Sequence, residues 1–140
     1  MKKHRKNRPK LSKKIKHINL KSLRKKARKL FSEYTRKSEK GICFTCGRQH
    51  NWKETDCGHY IHRNCLDFDP IGNHCQCTYC NRFLHGNLGI YAERLIAEYG
   101  EQAIIDLRQR ANKEKKFTIL ELKELITKYQ TLLTQLEKVK

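Results

Sequence analysis

Cys43-Phe44-Thr45-Cys46 and Cys77-Thr78-Tyr79-Cys80-Asn81-Arg82 enclose Cys57-Gly58-His59-Tyr60, and the reading of this stretch decides the fold. Each C-x-x-C presents two sulfurs at a bite that one tetrahedral ion can close, so Cys43, Cys46, Cys77 and Cys80 suit a single Zn2+. Four protein ligands leave such an ion no open position, which assigns it to folding rather than to catalysis. The surrounding segment 41–87 is broken by Gly41, Gly47, Gly58, Pro70, Gly72 and Gly86 and keeps no helical period. Irregular structure of this size has little core of its own and needs a staple.

Outward from the cysteines the character changes on both sides. Residues 1–40 hold 18 Lys/Arg against only Glu33 and Glu39, a net of +16 out of +18 for all 140 residues. Block basic charge of this kind favours a polyanion, and nucleic acid leads because phosphate neutralisation releases counterions. Residues 1–14 contain Pro9 and hardly an apolar side chain, which reads as a disordered basic arm, with Lys2, Lys3, Arg5, Lys6, Arg8, Lys10, Lys13 and Lys14 available to phosphates. From Ile15 to about residue 40, Leu20, Leu23, Ala27, Leu30, Phe31 and Tyr34 recur at helical intervals. This predicts a basic amphipathic helix whose apolar face docks on the domain and whose Arg24, Lys25 and Arg28 lie along a nucleic-acid backbone.

Residues 88–140 read as helices. Leu88 to Tyr99 ends at Gly100 in the C′ position, and Glu101 to about Asn112 repeats the pattern. A last helix opens on Thr118 with Glu121 as a capping box and carries Leu122, Leu125, Ile126, Tyr129, Leu133 and Leu136. That stripe suits either intramolecular core or the seam of a homodimer. Seven cysteines, an odd number, fit metal ligation in a reducing compartment better than a disulfide framework. No run approaches the ~18 apolar residues of a membrane span, so a cytoplasmic protein without a membrane partner is expected.

The chemistry concentrates between the knuckles. His59 lies just beyond Trp52 to Asp56, a segment suited to a first strand, and a neutral imidazole can take a proton from water near neutral pH. Asn81 directly follows the last zinc ligand, and its amide oxygen can ligate a hard cation. Asp56 adds a carboxylate, and His85 stands one helical turn after Asn81. Together Asp56, Asn81 and His85 could hold Mg2+ or Mn2+, while Arg63 and Arg82 clamp phosphate. Asn81 could also cap the short helix after the knuckle. Cys57, His59, His62 and Cys65 form a possible second zinc constellation, which would consume the proposed base.

A zinc-stapled pair of knuckles around a histidine, followed by an asparagine, resembles the HNH or His-Me finger nucleases. The wider pattern of Cys57-Gly58-His59-Tyr60, His74-x-Gln76-Cys77-x-x-Cys80-Asn81 and Gly86-Asn87-Leu88 resembles the NinG (Rap) family of lambdoid phage recombination proteins. It continues through Tyr91, Leu95-Ile96 and Gly100-Glu101 to Phe117-Thr118-Ile119 and Tyr129, about 100 residues in all. The paired knuckles, central histidine and trailing asparagine are also similar to phage recombination endonuclease VII. The resemblance implies an α+β fold with a ββα finger, and a metal-dependent DNA endonuclease acting on branched structures such as Holliday junctions and D-loops. It makes His59, Asn81 and Asp56 the catalytic residues. The alternative is a non-catalytic zinc module that binds nucleic acid and helps recombination proteins. Departures are the absence of cysteine from residues 1–42, Gly72 with Asn73 one place later than the usual asparagine, Gly58 where endonuclease VII has aspartate, and His85 where a small polar residue is usual.

Overall fold

A computed structural model describes residues 19–139. The predicted start of the first helix at Ile15, and the whole arm of residues 1–14, lie outside the described residues. Elements run α1 (Leu20–Ser38), β1 (Thr55–His59), β2 (Asn73–Cys77), a π-helical turn (Tyr79–Phe83), α2 (Leu88–Tyr99), α3 (Glu101–Ala111) and α4 (Ile119–Lys138). The fold is a mixed α+β arrangement in which the sheet is small and the helices supply most of the apolar surface. No helix among the described residues is long and apolar enough to cross a membrane.

Helix α1 starts where the Asn19 side chain accepts a hydrogen bond from the Lys21 N–H, and Arg36 and Lys37 complement the dipole in its last turn. It stops because Lys40 and Gly41 turn into the left-handed region, at φ 55° and 70°. A Cβ at position 41 would stand 2.1 Å from the His50 carbonyl oxygen, so this exit requires glycine. Helix α4 opens with the capping box read from the sequence, with Thr118 and Glu121 exchanging side-chain and backbone bonds.

Two apolar cores result among the described residues. Ala27 and Phe31 of α1 pack against Leu122, Ile126 and Tyr129 of α4, so the leucine stripe of the last helix is buried within its own chain. Leu95 and Tyr91 of α2 meet Ile104 and Leu107 of α3 in the second core. Each side chain of this size that is fully buried contributes roughly 1.5–3 kcal/mol. The segment between the strands joins the two cores: Leu66 enters the α2–α3 cluster, and Phe68, two residues on, enters the α1–α4 cluster. The hairpin is therefore held from both sides.

The hairpin pairs β1 antiparallel to β2, with Thr55 opposite Cys77, Gly58 opposite His74 and His59 opposite Asn73. The first strand begins later than Trp52, where the sequence places it. Trp52–Glu54 is a short helical turn instead, because Asn51 caps it by accepting from the Lys53 N–H. The Trp52 ring also lies beneath the cations of Arg36 and Lys37, at 5.4 and 4.6 Å from its centroid. His59 is consequently the last residue of β1 and not a residue beyond it.

Candidate active site and metal centre

The Thr55–Cys77 end of the hairpin carries the metal centre. The sulfurs of Cys43, Cys46, Cys77 and Cys80 all lie within 4.8 Å of one another, and Cys46 Sγ is 3.9 Å from Cys77 Sγ. Zinc–sulfur bonds of ~2.3 Å in a tetrahedron put sulfurs ~3.8 Å apart, so the four thiols suit one Zn2+. Donors surround them: the Cys80 N–H points to Cys77 Sγ at 3.4 Å, and the Asn87 amide to Cys80 Sγ at 3.8 Å. Burial opposes ionisation of Cys43, yet the backbone N–H of Cys46 and the Thr45 hydroxyl outweigh it and bring the thiol down to about 6. Cys77, raised chiefly by burial, is pushed up to about 12. A cation bound among the four sulfurs would offset the repulsion between their thiolates.

The second zinc constellation does not assemble. Cys65 turns away, donating from Sγ to the carbonyls of Arg110 and Ala111 at 3.5 and 3.8 Å. Cys57 packs against the α1–α4 core, where burial pushes its thiol up to about 12. His59 and His62 stand together without the cysteines, their rings stacked at 5.3 Å.

A cleft of about 630 Å³ opens between α1 and the hairpin and gathers most of the sequence candidates. His59, Asp56, Asn81, Arg63, Arg82 and Arg28 all line it. Asp56 and His59 are three residues apart on β1, about 10 Å along the strand, so they occupy its two ends. At one end the Arg82 guanidinium forks onto Asp56, with bonds of 2.8 and 3.0 Å, and the Asn81 amide donates to the same carboxylate at 3.1 Å. At the other end the His59 pKa is held below the ordinary histidine value, first by burial and then by His62, with Arg28 adding to the effect and Asp67 opposing it. A neutral imidazole results.

His85 lies elsewhere. The backbone after Cys80 winds with bonds from Leu84 N–H to the Tyr79 carbonyl and from Gly86 N–H to the Asn81 carbonyl, five residues apart in each case. His85 then turns to φ 51°, exposed and outside the cleft lining, so the one-turn spacing from Asn81 does not place both on one face. The helix expected after the knuckle is this single wide turn. Asn81 makes its side-chain bond to Asp56 and not to a helix end.

The basic face of α1 is partly committed. Arg24 and Arg28 both bond the carboxylate of Asp67, whose side chain is 8% exposed; Arg24 Nη2 and Arg28 Nε each approach it to 2.8 Å. Lys25 is exposed.

The family model for the bacteriophage lambda NinG protein matches residues 1–139. The chain belongs to the NinG family. NinG of Escherichia phage 933W is 29% identical over 116 residues, covering 80% of this chain and 57% of the relative. NinG of Escherichia phage lambda and of Salmonella phage P22 are each 29% identical over 116 residues, covering 80% of this chain and 56% of the relative. The chain thus spans little more than half the length of these curated relatives. No solved structure matches it.

Several residues of the NinG-like pattern support the site without lining the cleft. Gln76, fully buried, donates to the Gly86 carbonyl at 2.9 Å and to Thr45 Oγ1 at 3.1 Å, and so ties both knuckles together. Its side chain lies across position 58, where a Cβ would stand 1.9 Å from Gln76 Oε1. Glycine before His59 follows from that crossing. His74 stacks on Phe44 with centroids 3.9 Å apart and bonds Glu39 at 2.7 Å, joining the end of α1 to β2. Asn73 donates to the carbonyls of Leu66 and Asp69 and braces the loop between the strands. Asp67 and His62 also line the cleft. Sequence reasoning misses their place in it, since their significance depends on what α1 and β1 bring beside them.

Proposed function

We propose that this chain is a metal-dependent DNA endonuclease of the His-Me finger type that acts on branched recombination intermediates such as Holliday junctions and D-loops. The observation that carries the reading is the cleft in which a histidine disfavoured from protonation faces a carboxylate–amide pair and several guanidinium groups. His59 accepts a proton from water as the water oxygen attacks phosphorus and a phosphorus–oxygen bond of the backbone breaks. Its position at the end of β1 is secured by the Tyr91 hydroxyl, which donates to the neighbouring Gly58 carbonyl at 2.9 Å.

The Asp56 carboxylate faces the cleft and already holds a cation, the Arg82 guanidinium, so it suits a divalent ion together with the adjoining Asn81 amide. Bound there, Mg2+ or Mn2+ would supply charge neutralisation at the scissile phosphate. Arg63 and Arg82 line the same cleft and would be the groups to clamp phosphate. The four-cysteine centre serves the fold, holding Asn81 and Arg82 immediately after its last ligand. Lys25 and the basic arm supply affinity without imposing geometry. Symmetric resolution of a junction needs two active sites, which a homodimer would supply.

Incubating the protein with a synthetic four-way junction and a matched linear duplex, with and without Mg2+, tests the proposal. Metal-dependent cutting of the junction is expected. Tight binding without cutting, in Mg2+ or in Mn2+, would favour a non-catalytic zinc module that assists recombination proteins.

A further inference from the structure

A second groove, of about 660 Å³, adjoins the cleft and shares His62, Arg63 and Asn64 with it. Its far wall is the connection between α3 and α4, where Lys113, Lys115 and Lys116 are exposed and Glu114 is the one acidic residue of the lining among the described residues. Lys115 is only loosely engaged, 3.7 Å from Glu121 and above the Phe117 ring. The two walls are tied together: Cys65, which lines the groove, bonds the last carbonyls of α3, and behind the lining Arg110 forks onto Asp69 at 2.8 and 3.1 Å. The groove is thus a standing feature that joins the end of α3 to the loop between the strands.

We infer that this groove carries the sugar-phosphate backbone of the DNA arm leaving the catalytic cleft, an inference that rests on the nucleic-acid reading above. Charge complementarity selects this occupant. Arg63 stands at the shared wall, and the three lysines continue the positive line away from His59. Lysines on a connection without regular structure make point contacts to phosphates and read no base edges, so the groove adds affinity and direction but not sequence preference. Because it departs from the cleft on the His62 side, it tracks the backbone on one flank of the scissile phosphate only.

The test is DNA binding across a salt series by the full chain and by the triple variant Lys113→Gln, Lys115→Gln, Lys116→Gln, with zinc content and melting temperature as fold controls. Each phosphate that is no longer neutralised lowers the slope of log affinity against log salt by roughly 0.9 on duplex, so the slope of the triple variant should fall by about 2 to 3. Glu114→Gln should shift affinity the opposite way. Hydroxyl-radical footprints of the triple variant should lose protection on one side of the cut and keep it on the other. A triple variant with the wild-type slope and footprint would overturn the groove assignment while leaving the cleft intact. A wild-type chain with no DNA affinity would overturn both this inference and the nucleic-acid reading beneath it.

Discussion

At the Thr55–Cys77 end of the hairpin, four thiols converge within 4.8 Å of one another, whereas along the cleft two carboxylates are each paired with guanidinium groups. Asp56 is held by Arg82, Asp67 by Arg24 and Arg28, and His59 stands beside His62. The thiol end could hold one metal ion, because clustered thiolates repel until a cation offsets them. The cleft end consists of separate pairs, and on the proposed reading a phosphate replaces Asp56 as the partner of Arg82. On the function proposed above, one end supports the fold and the other carries the chemistry. That division can be broken by experiment.

The largest effect should come from the thiol end. Structural zinc contributes about 10–16 kcal/mol of apparent binding free energy in small zinc-finger peptides, comparable with the whole stability of a domain. Chelation, or Cys77→Ser, should therefore abolish cooperative melting, and metal analysis of the native chain should find one zinc per molecule. An unchanged melt in Cys77→Ser would place the staple elsewhere.

Next is His59→Ala, which should lower cleavage by about 10²- to 10⁴-fold in single-turnover kinetics while zinc content and melting temperature stay at wild-type values. Wild-type turnover in this variant would move the chemistry away from the far end of the hairpin. If zinc were lost as well, the separation of the two ends would fail.

Gly58→Ala probes the link between them. The added methyl meets Gln76 Oε1, and Gln76 is itself bound to Thr45 and Gly86, so the side chain cannot retreat without giving up buried hydrogen bonds. A destabilisation of about 1–3 kcal/mol is expected from urea unfolding. Stability unchanged from wild type would show that Gln76 does not couple the knuckles to β1.

The smallest effect is on pH. Because burial and His62 lower the His59 pKa, its neutral form persists below pH 6.5, and the acidic limb of the cleavage profile should lie on the low side of that value. The same shift means that folding stability owed to neutral His59 is fully present above pH 6.5 and is lost as pH falls through the depressed value. Asp67→Asn removes a charge that opposes the shift, so the limb should move further toward acid. Movement toward neutral pH would reverse the assigned electrostatics.

The cysteine spacing, the helical stripes, the Gly100 break and the Thr118–Glu121 cap were legible in the sequence, since each rests on chemistry within a few neighbouring residues. Thiolate bite, 3.6-residue periodicity and capping bonds are local and survive without knowledge of the fold. The start of β1 at Thr55, the wide turn that carries His85 away from Asn81, and the release of Cys65 toward α3 were not legible. Each depends on a partner distant in the chain or on a carbonyl that only the folded backbone supplies: Trp52 beneath Arg36 and Lys37, Leu84 and Gly86 reaching back five residues, Cys65 meeting Arg110. Composition marked α1 as basic, but tertiary structure decided that Arg24 and Arg28 answer Asp67 while Lys25 stays exposed. Charge is a property of the sequence, whereas its partner is set by which surfaces the two apolar cores bring together.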